Sequence, residues 1–317
     1  MADGIKLYAN LHLHSTHSDG VYSPEELVRI ACDEGYRAIA CTDHDTYTAN
    51  PEMMRAAEKY GLECIYGIEF NTLYPEEKKS FHMTAFGFDG DEPMMKEYLR
   101  ELSERETYQT RMLVERGLSL GLIEGITWDE IVEYNKGITW LCNDHVFRAM
   151  KAKGLIDDLG YPDFFENVFG KHRFEIEQIC PYKHIGEVIK LVHNAGGIAC
   201  IAHPHGQLEL VPELVGLGLD GIEVWHSMLT SEERRRALEL ALKYDLYVSG
   251  GSDHEGLCGG QYPFYEHPEE TEFWIPELST GTTEYFFREI RDKRKMPDRA
   301  SELEKLIADE SAWIRRK

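Results

Sequence analysis

Seven short apolar runs punctuate the 317-residue chain, and six of them end in residues that can ligate a metal. Residues 7–13 lead to His14, and 38–42 lead to Asp43, His44 and Asp45. Residues 64–68 lead to Glu69, and 197–202 lead to His203, Pro204 and His205. Residues 222–225 lead to His226, and 246–250 lead to Gly251, Ser252, Asp253 and His254. The remaining run, 81–88, has His82 near its start instead. Helical patterns at 24–34, 51–60, 184–194, 212–219 and 231–244 lie between most of these runs. Ser23-Pro24-Glu25-Glu26 and Thr230-Ser231-Glu232-Glu233 read as helix starts, each with a hydroxyl cap followed by early acids. Strands alternating with helices imply a parallel α/β sheet or barrel.

In such barrels the strand ends build the active site. Ligand-type residues recurring there place one rim as the functional face. Segment 73–80 is too short for a helical crossover, so the strands holding Glu69 and His82 are expected to be antiparallel and the barrel irregular. From about 89 to 180 the pattern becomes helical, with candidates at 92–120 (one or two helices), 127–134 and 143–153. It reads as an insertion, which leaves 1–88 and 181–317 for the barrel. The tail, 282–317, reads as a solvated packing helix of mixed charge.

The densest cluster is Asn10-Leu11-His12-Leu13-His14-Ser15-Thr16-His17-Ser18-Asp19-Gly20. His12 and His14 are two apart on a strand and point to one side, a bidentate grip for a divalent ion. Asp19, in a glycine-bounded turn, can reach the same region. Asp43 or Asp45 can orient the His44 ring. The two oxygens of Glu69 can bridge two ions. His203 and Asp253 complete the set, whereas His82 alone is a weak motif. His17, His193 and His267 lack strand-end placement and read as ordinary surface or packing residues.

Composition narrows the chemistry. The formal net charge is -23. That field repels polyanions and counts against long nucleic acid as a partner. A small phosphorylated molecule is still compatible, because bound cations reverse the sign locally. The seven cysteines are scattered, without a CxxC, which fits reduced thiols and a cytoplasmic location. The N-terminal residues lack the pattern of a signal peptide, and no apolar run reaches the ~18 residues of a membrane span. The sequence leaves the oligomeric state open.

Residues 10–20, ACTDHDT, YGIEF, FHMTAFGFD, IACIAHP, DGIEVWHS and SGGSDH resemble the polymerase and histidinol phosphatase (PHP) family of metal-dependent phosphoesterases. The resemblance implies an α/β fold, a distorted (β/α)7 barrel with a helical insertion capping the active site. It implies two or three divalent ions (manganese, iron or zinc) on His12, His14, Asp19, His44, Glu69, His82, His203 and Asp253. Two departures stand out. Asn10 replaces the usual acid ahead of the two histidines. Asp253-His254-Glu255 replaces Asp-x-His; His254 is taken as the ligand, with Glu255 or a lost site as the alternatives.

The implied reaction is attack on phosphorus by a metal-bridging hydroxide, with a general acid for the leaving alkoxide. His205 and His226 are the candidate acids, and a hydrogen bond orienting a neighbour fits His226 equally well. His145 and Arg148, three apart on one helix face, resemble a substrate-facing stretch of the family's insert. Arg148 could clamp a phosphate or be a surface arginine. Lys183 and His184 are weaker candidates. The expected substrate is a small phosphorylated metabolite, a sugar phosphate or nucleotide, as monoester or cyclic diester. The alternatives are an oligonucleotide exonuclease or nucleoside bisphosphate phosphatase, C–N bond hydrolysis by a similar metal barrel, and a non-catalytic metal- and phosphate-binding module.

Overall fold

The computed structural model describes residues 6–74, 79–170, 172, 182–253, 280–309 and 312. Seven strands form one sheet in sequential order: β1 (Ala9–Asn10), β2 (Ala38–Cys41), β3 (Glu63–Tyr74), β4 (Lys79–Phe86), β5 (Ile198–Ile201), β6 (Gly221–Trp225) and β7 (Tyr247–Gly250). Pairing is parallel except at β4, which runs antiparallel to both β3 and β5. The sheet curls into a nearly closed, distorted (β/α)7 barrel. Loop contacts close it: the Leu11 amide donates to the Gly250 carbonyl (3.1 Å) and the Asp253 amide to the His12 carbonyl (2.9 Å). Asn10 adds a side-chain latch, donating to Ser252 Oγ (2.8 Å) and accepting from the Ser252 amide (3.1 Å). Gly251 is needed at this seam, since a Cβ there would lie 2.2 Å from that of His12.

Period-two alternation builds two layers. Ala38 and Ala40 of β2 pack inward with Ala9, Ile65, Phe86, Ile198, Cys200 and Phe287. Ile39 and Cys41 pack outward against Leu27, Val28 and Ala31 of α1 (Pro24–Asp33) and Met53, Ala56 and Ala57 of α2 (Asn50–Tyr60). The barrel interior is thus a packed core, as usual for the architecture. Both expected hydroxyl caps form: Ser23 with Glu26, and Thr230 with Glu233, each satisfying otherwise unpaired amides of a first turn.

The insertion starts with α3 (Pro93–Ser119), one unbroken 27-residue helix. There follow α4 (Trp128–Tyr134), α5 (Asn143–Ala152) and α6 (Tyr161–Phe164), which runs into a π-helical turn at Phe165–Gly170. Leu113, Val114, Ile131, Val146, Phe147, Tyr161, Phe164 and Phe169 give this part its own apolar core. The barrel resumes with α7 (Ile185–Asn194), α8 (Val211–Gly216) and α9 (Ser231–Tyr244).

Three expectations need correction. Glu69 lies in the middle of β3 rather than at its end, because the antiparallel ladder with β4 continues to Tyr74 opposite Lys79. Strand β1 is only two residues long, because loop bonds replace a regular ladder on its β7 side; His12 and His14 lie just beyond it. Among the described residues the tail forms two helices, α10 (Glu284–Asp292) and α11 (Arg299–Ala308). Their Phe286 and Leu303 join the main core.

Candidate metal centre

Strand register brings the rim together. Beyond Cys41 the β2–β3 pairing continues, with the Asp45 amide donating to the Glu69 carbonyl (2.8 Å), so His44 lies beside Glu69. Strand β4 runs the opposite way, so its early residue His82 arrives at the rim where the other strands finish. The β4–β5 pairing then extends as the Ala202 amide donates to the His82 carbonyl (3.0 Å), which delivers His203.

Glu69 is the hub of the arrangement. His82 Nδ1 and His203 Nε2 lie 3.3 and 3.1 Å from its Oε1, and His12 Nε2 lies 3.3 Å from the same oxygen. His14 Nε2 and His44 Nδ1 each lie 3.2 Å from Oε2. Asp253 Oδ1 stands 3.3 Å from His12 Nε2 and 2.9 Å from His14 Nε2. Asp19 stands 3.2 Å from His14 Nδ1 and 3.5 Å from His44 Nε2. All eight expected ligands among the described residues therefore converge. His254 and Glu255 lie outside the described residues. Backbone strain accompanies the convergence: Asp45, His203 and Asp253 all adopt positive φ, which non-glycine residues rarely do.

Glu223, which sequence reasoning missed, sets the tautomer of His12. Its carboxylate accepts from His12 Nδ1 at 3.1 and 3.2 Å and from the His203 amide at 2.8 Å. The signal was present: a glutamate alternating into the apolar strand Gly221–Trp225 and buried there. With its proton on Nδ1, His12 turns the Nε2 lone pair toward two carboxylates, so acceptor faces acceptor. Burial by itself lowers the His12 pKa, but Asp253, Glu69 and Glu223 raise it well above the ordinary value. The site demands positive charge.

Buried atoms without hydrogen-bond partners include His12 Nε2, both ring nitrogens of His14, His44 Nδ1 and Glu69 Oε2. Such atoms are normally paired. Their concentration among nitrogen and oxygen donors, with no thiolate, fits divalent cations well. Four groupings among the described residues hold ligand atoms close enough to share an ion: His12, His14, Glu69 and Asp253; His14, Asp19 and His44; His44, Glu69 and His82; and His12, Glu223 and His226.

A second layer positions the loop after His14. Asp43 accepts from the Ser15 amide (2.6 Å), Ser15 Oγ (2.7 Å) and Ser18 Oγ (2.7 Å). Asp45 accepts from the Asn71 amide and side chain at 2.9 and 2.8 Å. Neither aspartate orients the His44 ring; each is committed to holding backbone. From the insertion, His145 Nε2 lies 3.2 Å from the Thr16 carbonyl, and Arg148 donates to the carbonyls of Ser18 (2.9 Å) and Gly20. The expected substrate-facing pair is therefore docked on the Asp19 loop.

The candidate proton donors separate. His226 is buried, with Nε2 3.2 Å from Asp253 Oδ2. Its Nδ1 accepts from the Met228 amide (3.1 Å), so the neutral ring has its proton on Nε2, facing the rim. His205 does not join the cluster. Its side chain is 53% exposed and Nδ1 is bonded to Glu233 at 2.9 Å, the same carboxylate that caps α9. His184 caps α7 through the Gly186 amide (3.0 Å), and Lys183 Nζ stands 4.9 Å over the Tyr98 ring.

The family model for the PHP domain matches residues 10–179. A phosphoribosyl 1,2-cyclic phosphate 1,2-diphosphodiesterase of Eggerthella lenta is 29% identical over 261 residues, spanning 79% of this chain and 95% of that protein. A 5'-3' exoribonuclease of Haemophilus influenzae is 30% identical over 262 residues, spanning 79% and 90%. Among solved structures, a Bifidobacterium adolescentis protein proposed to be a metal-dependent phosphoesterase superposes with a TM-score of 0.73 at 29% identity, covering 93% of this chain and 99% of that one.

Proposed function

The chain belongs to the PHP domain family, and from that premise we propose that its rim holds two or three divalent ions, manganese, iron or zinc, and hydrolyses a phosphoester of a small metabolite. It is an enzyme of the metal-dependent phosphoesterase class. The observation behind the finer reading is the convergence of five imidazoles on the two oxygens of Glu69 at 3.1–3.3 Å. His12, His14, Asp19, His44, Glu69, His82, His203 and Asp253 would hold the ions, with His254 as a further ligand. Bound ions would polarise phosphoryl oxygens and make water acidic enough to attack phosphorus near neutral pH.

The protein's own groups supply the rest. Glu223 keeps His12 in the ligating tautomer. Asp43, His145 and Arg148 fix the loop carrying Asp19. His226, with its proton on Nε2, is the group to protonate the departing alkoxide. The insertion is assigned as a cap, supported by the His145 and Arg148 contacts and by the Trp140 ring, 6.3 Å from that of His44. A sugar phosphate or nucleotide is the expected substrate class, as in the cyclic phosphate named for the Eggerthella relative. The exoribonuclease name of the Haemophilus relative favours an oligonucleotide as the second reading; the net charge of -23 opposes it.

The test is reconstitution with each metal, a metal count, and a screen of phosphorylated metabolites, cyclic diesters and short oligonucleotides. More than one equivalent of metal and turnover of a small phosphoester are expected. Glu69→Gln should lose more than one equivalent, since both oxygens are used. Full metal occupancy without turnover on any phosphoester would overturn the reading, and loss of a single equivalent in Glu69→Gln would remove the bridging role.

A further inference from the structure

The first turn of α9 is fastened to two rim loops at once. Thr230 and Glu233 bond reciprocally at its start. Glu233 also accepts from the Gly206 amide (2.9 Å) and from His205 Nδ1 (2.9 Å), which holds the loop that follows His203. The next residue, Arg234, holds the other loop. Its Nη2 donates to the carbonyl of His226 at 2.8 Å, in a buried bond. Arg234 is 7% exposed and His226 is fully buried. A charged group is costly to bury, and what this guanidinium provides there is a fixed donor to a loop carbonyl.

The bond matters because the carbonyl and the ring belong to one residue. The Met228 amide donates to His226 Nδ1 (3.1 Å), and the Leu229 amide reaches the His226 carbonyl at 3.3 Å. Leu229 is fully buried and anchors the far end of this turn. Of the two donors to the carbonyl among the described residues, Arg234 is the closer. The Met228 bond occupies the Nδ1 lone pair, so the neutral ring keeps its proton on Nε2 and has no lone pair there to give an ion. The ring stands among the ligands, its centroid 5.7 Å from that of His12 and 5.2 Å from that of His203. A general acid must lie within hydrogen-bond reach of the oxygen it protonates, and a misplacement of about 1 Å can cost about 100-fold in rate.

We propose that Arg234 is a positioning residue: through the His226 carbonyl it fixes the turn that aims the Nε2 proton at the leaving oxygen. The inference rests on the phosphoesterase reading and deepens it, since Arg234 then matters only where the leaving group needs a proton. As the P–O bond breaks, its electron pair stays on the departing oxygen and takes the Nε2 proton, while water supplies the oxygen that replaces it on phosphorus.

Metal-loaded protein is assayed with phenyl phosphate, whose leaving group needs a proton, and with 4-nitrophenyl phosphate, whose leaving group departs as a stable anion. Arg234→Met keeps the apolar stem and removes the donor. It should lower kcat on phenyl phosphate about tenfold, with KM and the turnover of 4-nitrophenyl phosphate within about twofold. In a His226→Gln background the same substitution should cost less than about twofold on phenyl phosphate, because the group it positions is gone. Equal losses on both esters, or an undiminished loss in that background, would make Arg234 a general support of the fold and overturn the role, as would an unchanged kcat on phenyl phosphate. If Arg234→Met does not fold, Arg234→Gln, with a polar head on a shorter stem, replaces it and the same split decides. Amide exchange at Met228 reads the turn without turnover: it should accelerate about tenfold in the variant, and unchanged exchange overturns the positioning. If the unmodified protein turns over neither ester, the phosphoesterase reading fails, while faster Met228 exchange still supports Arg234 as the residue that holds the His226 turn.

Discussion

Glu223 makes two kinds of bond at once, accepting from a ring nitrogen of His12 and from the backbone amide of His203. That double commitment explains why a carboxylate is tolerated inside a barrel strand: buried charge is affordable only when paired and hydrogen-bonded. Glu223→Gln preserves size and can still bond the His203 amide, but it no longer enforces a proton on His12 Nδ1. Metal affinity is expected to fall about 10–100-fold, the usual effect of losing such an outer partner, measured by competition against a chelator; an unchanged affinity would show that the tautomer is set elsewhere. The eight expected ligands that converge on the described rim were named from the sequence because most of them lie in, follow or begin an apolar run and match the motifs of the family. Glu223 was not singled out, because one acid within a strand does not reveal which histidine it faces.

Helix α5 and the loop at residues 15–20 show the same limit among elements. The spacing of His145 and Arg148 correctly put both on one helix face. Which surface that face meets depends on how the insertion folds back on the barrel, and local sequence does not encode that. Three backbone carbonyls, of Thr16, Ser18 and Gly20, receive these side chains. Gly20 is itself required, since a Cβ there would lie 2.2 Å from the His14 carbonyl oxygen. Arg148→Met keeps the bulk and removes two charge-assisted bonds, each worth about 1.5–3 kcal/mol. Amide exchange at 16–20 should accelerate at least about tenfold, corresponding to ~1.4 kcal/mol, while exchange in β2 and β3 is unchanged. Undisturbed exchange in the loop would show that Asp43 and His145 hold it without Arg148. Similarly, the short 73–80 connection announced an antiparallel pair, but only the ladder to Tyr74 and Lys79 placed Glu69 in mid-strand.

Across the whole molecule, the end of the barrel opposite the rim is joined by charge. Glu63 opens β3, accepts from the Tyr8 hydroxyl (2.7 Å), and pairs with Arg291 of α10 (2.5 Å). Burial pushes its pKa up, but the Tyr8 bond and the Arg291 and Arg288 charges outweigh that and leave it below the ordinary value. A carboxylate depressed in the folded state stabilises the protein above its unfolded pKa of about 4.3, and that contribution disappears as pH falls through the folded value. The Tm difference between the parent and Glu63→Gln should therefore be positive at neutral pH and shrink toward zero in acid. Because Glu63 is 36% exposed, solvent screening keeps the difference small; a difference independent of pH would remove the ionic explanation. The sequence by itself determined the alternating α/β plan, the helical character of the stretch after β4 and which polar residues stand at or near the strand ends, because hydrophobic periodicity and residue chemistry are local properties. Tertiary structure alone decided the barrel closure through Asn10 and Ser252, the docking of Arg148 on the carbonyls of Ser18 and Gly20, and the bonding of His205 to Glu233. Each of these depends on which distant groups compete for a donor or acceptor, and that competition exists only once the chain has folded.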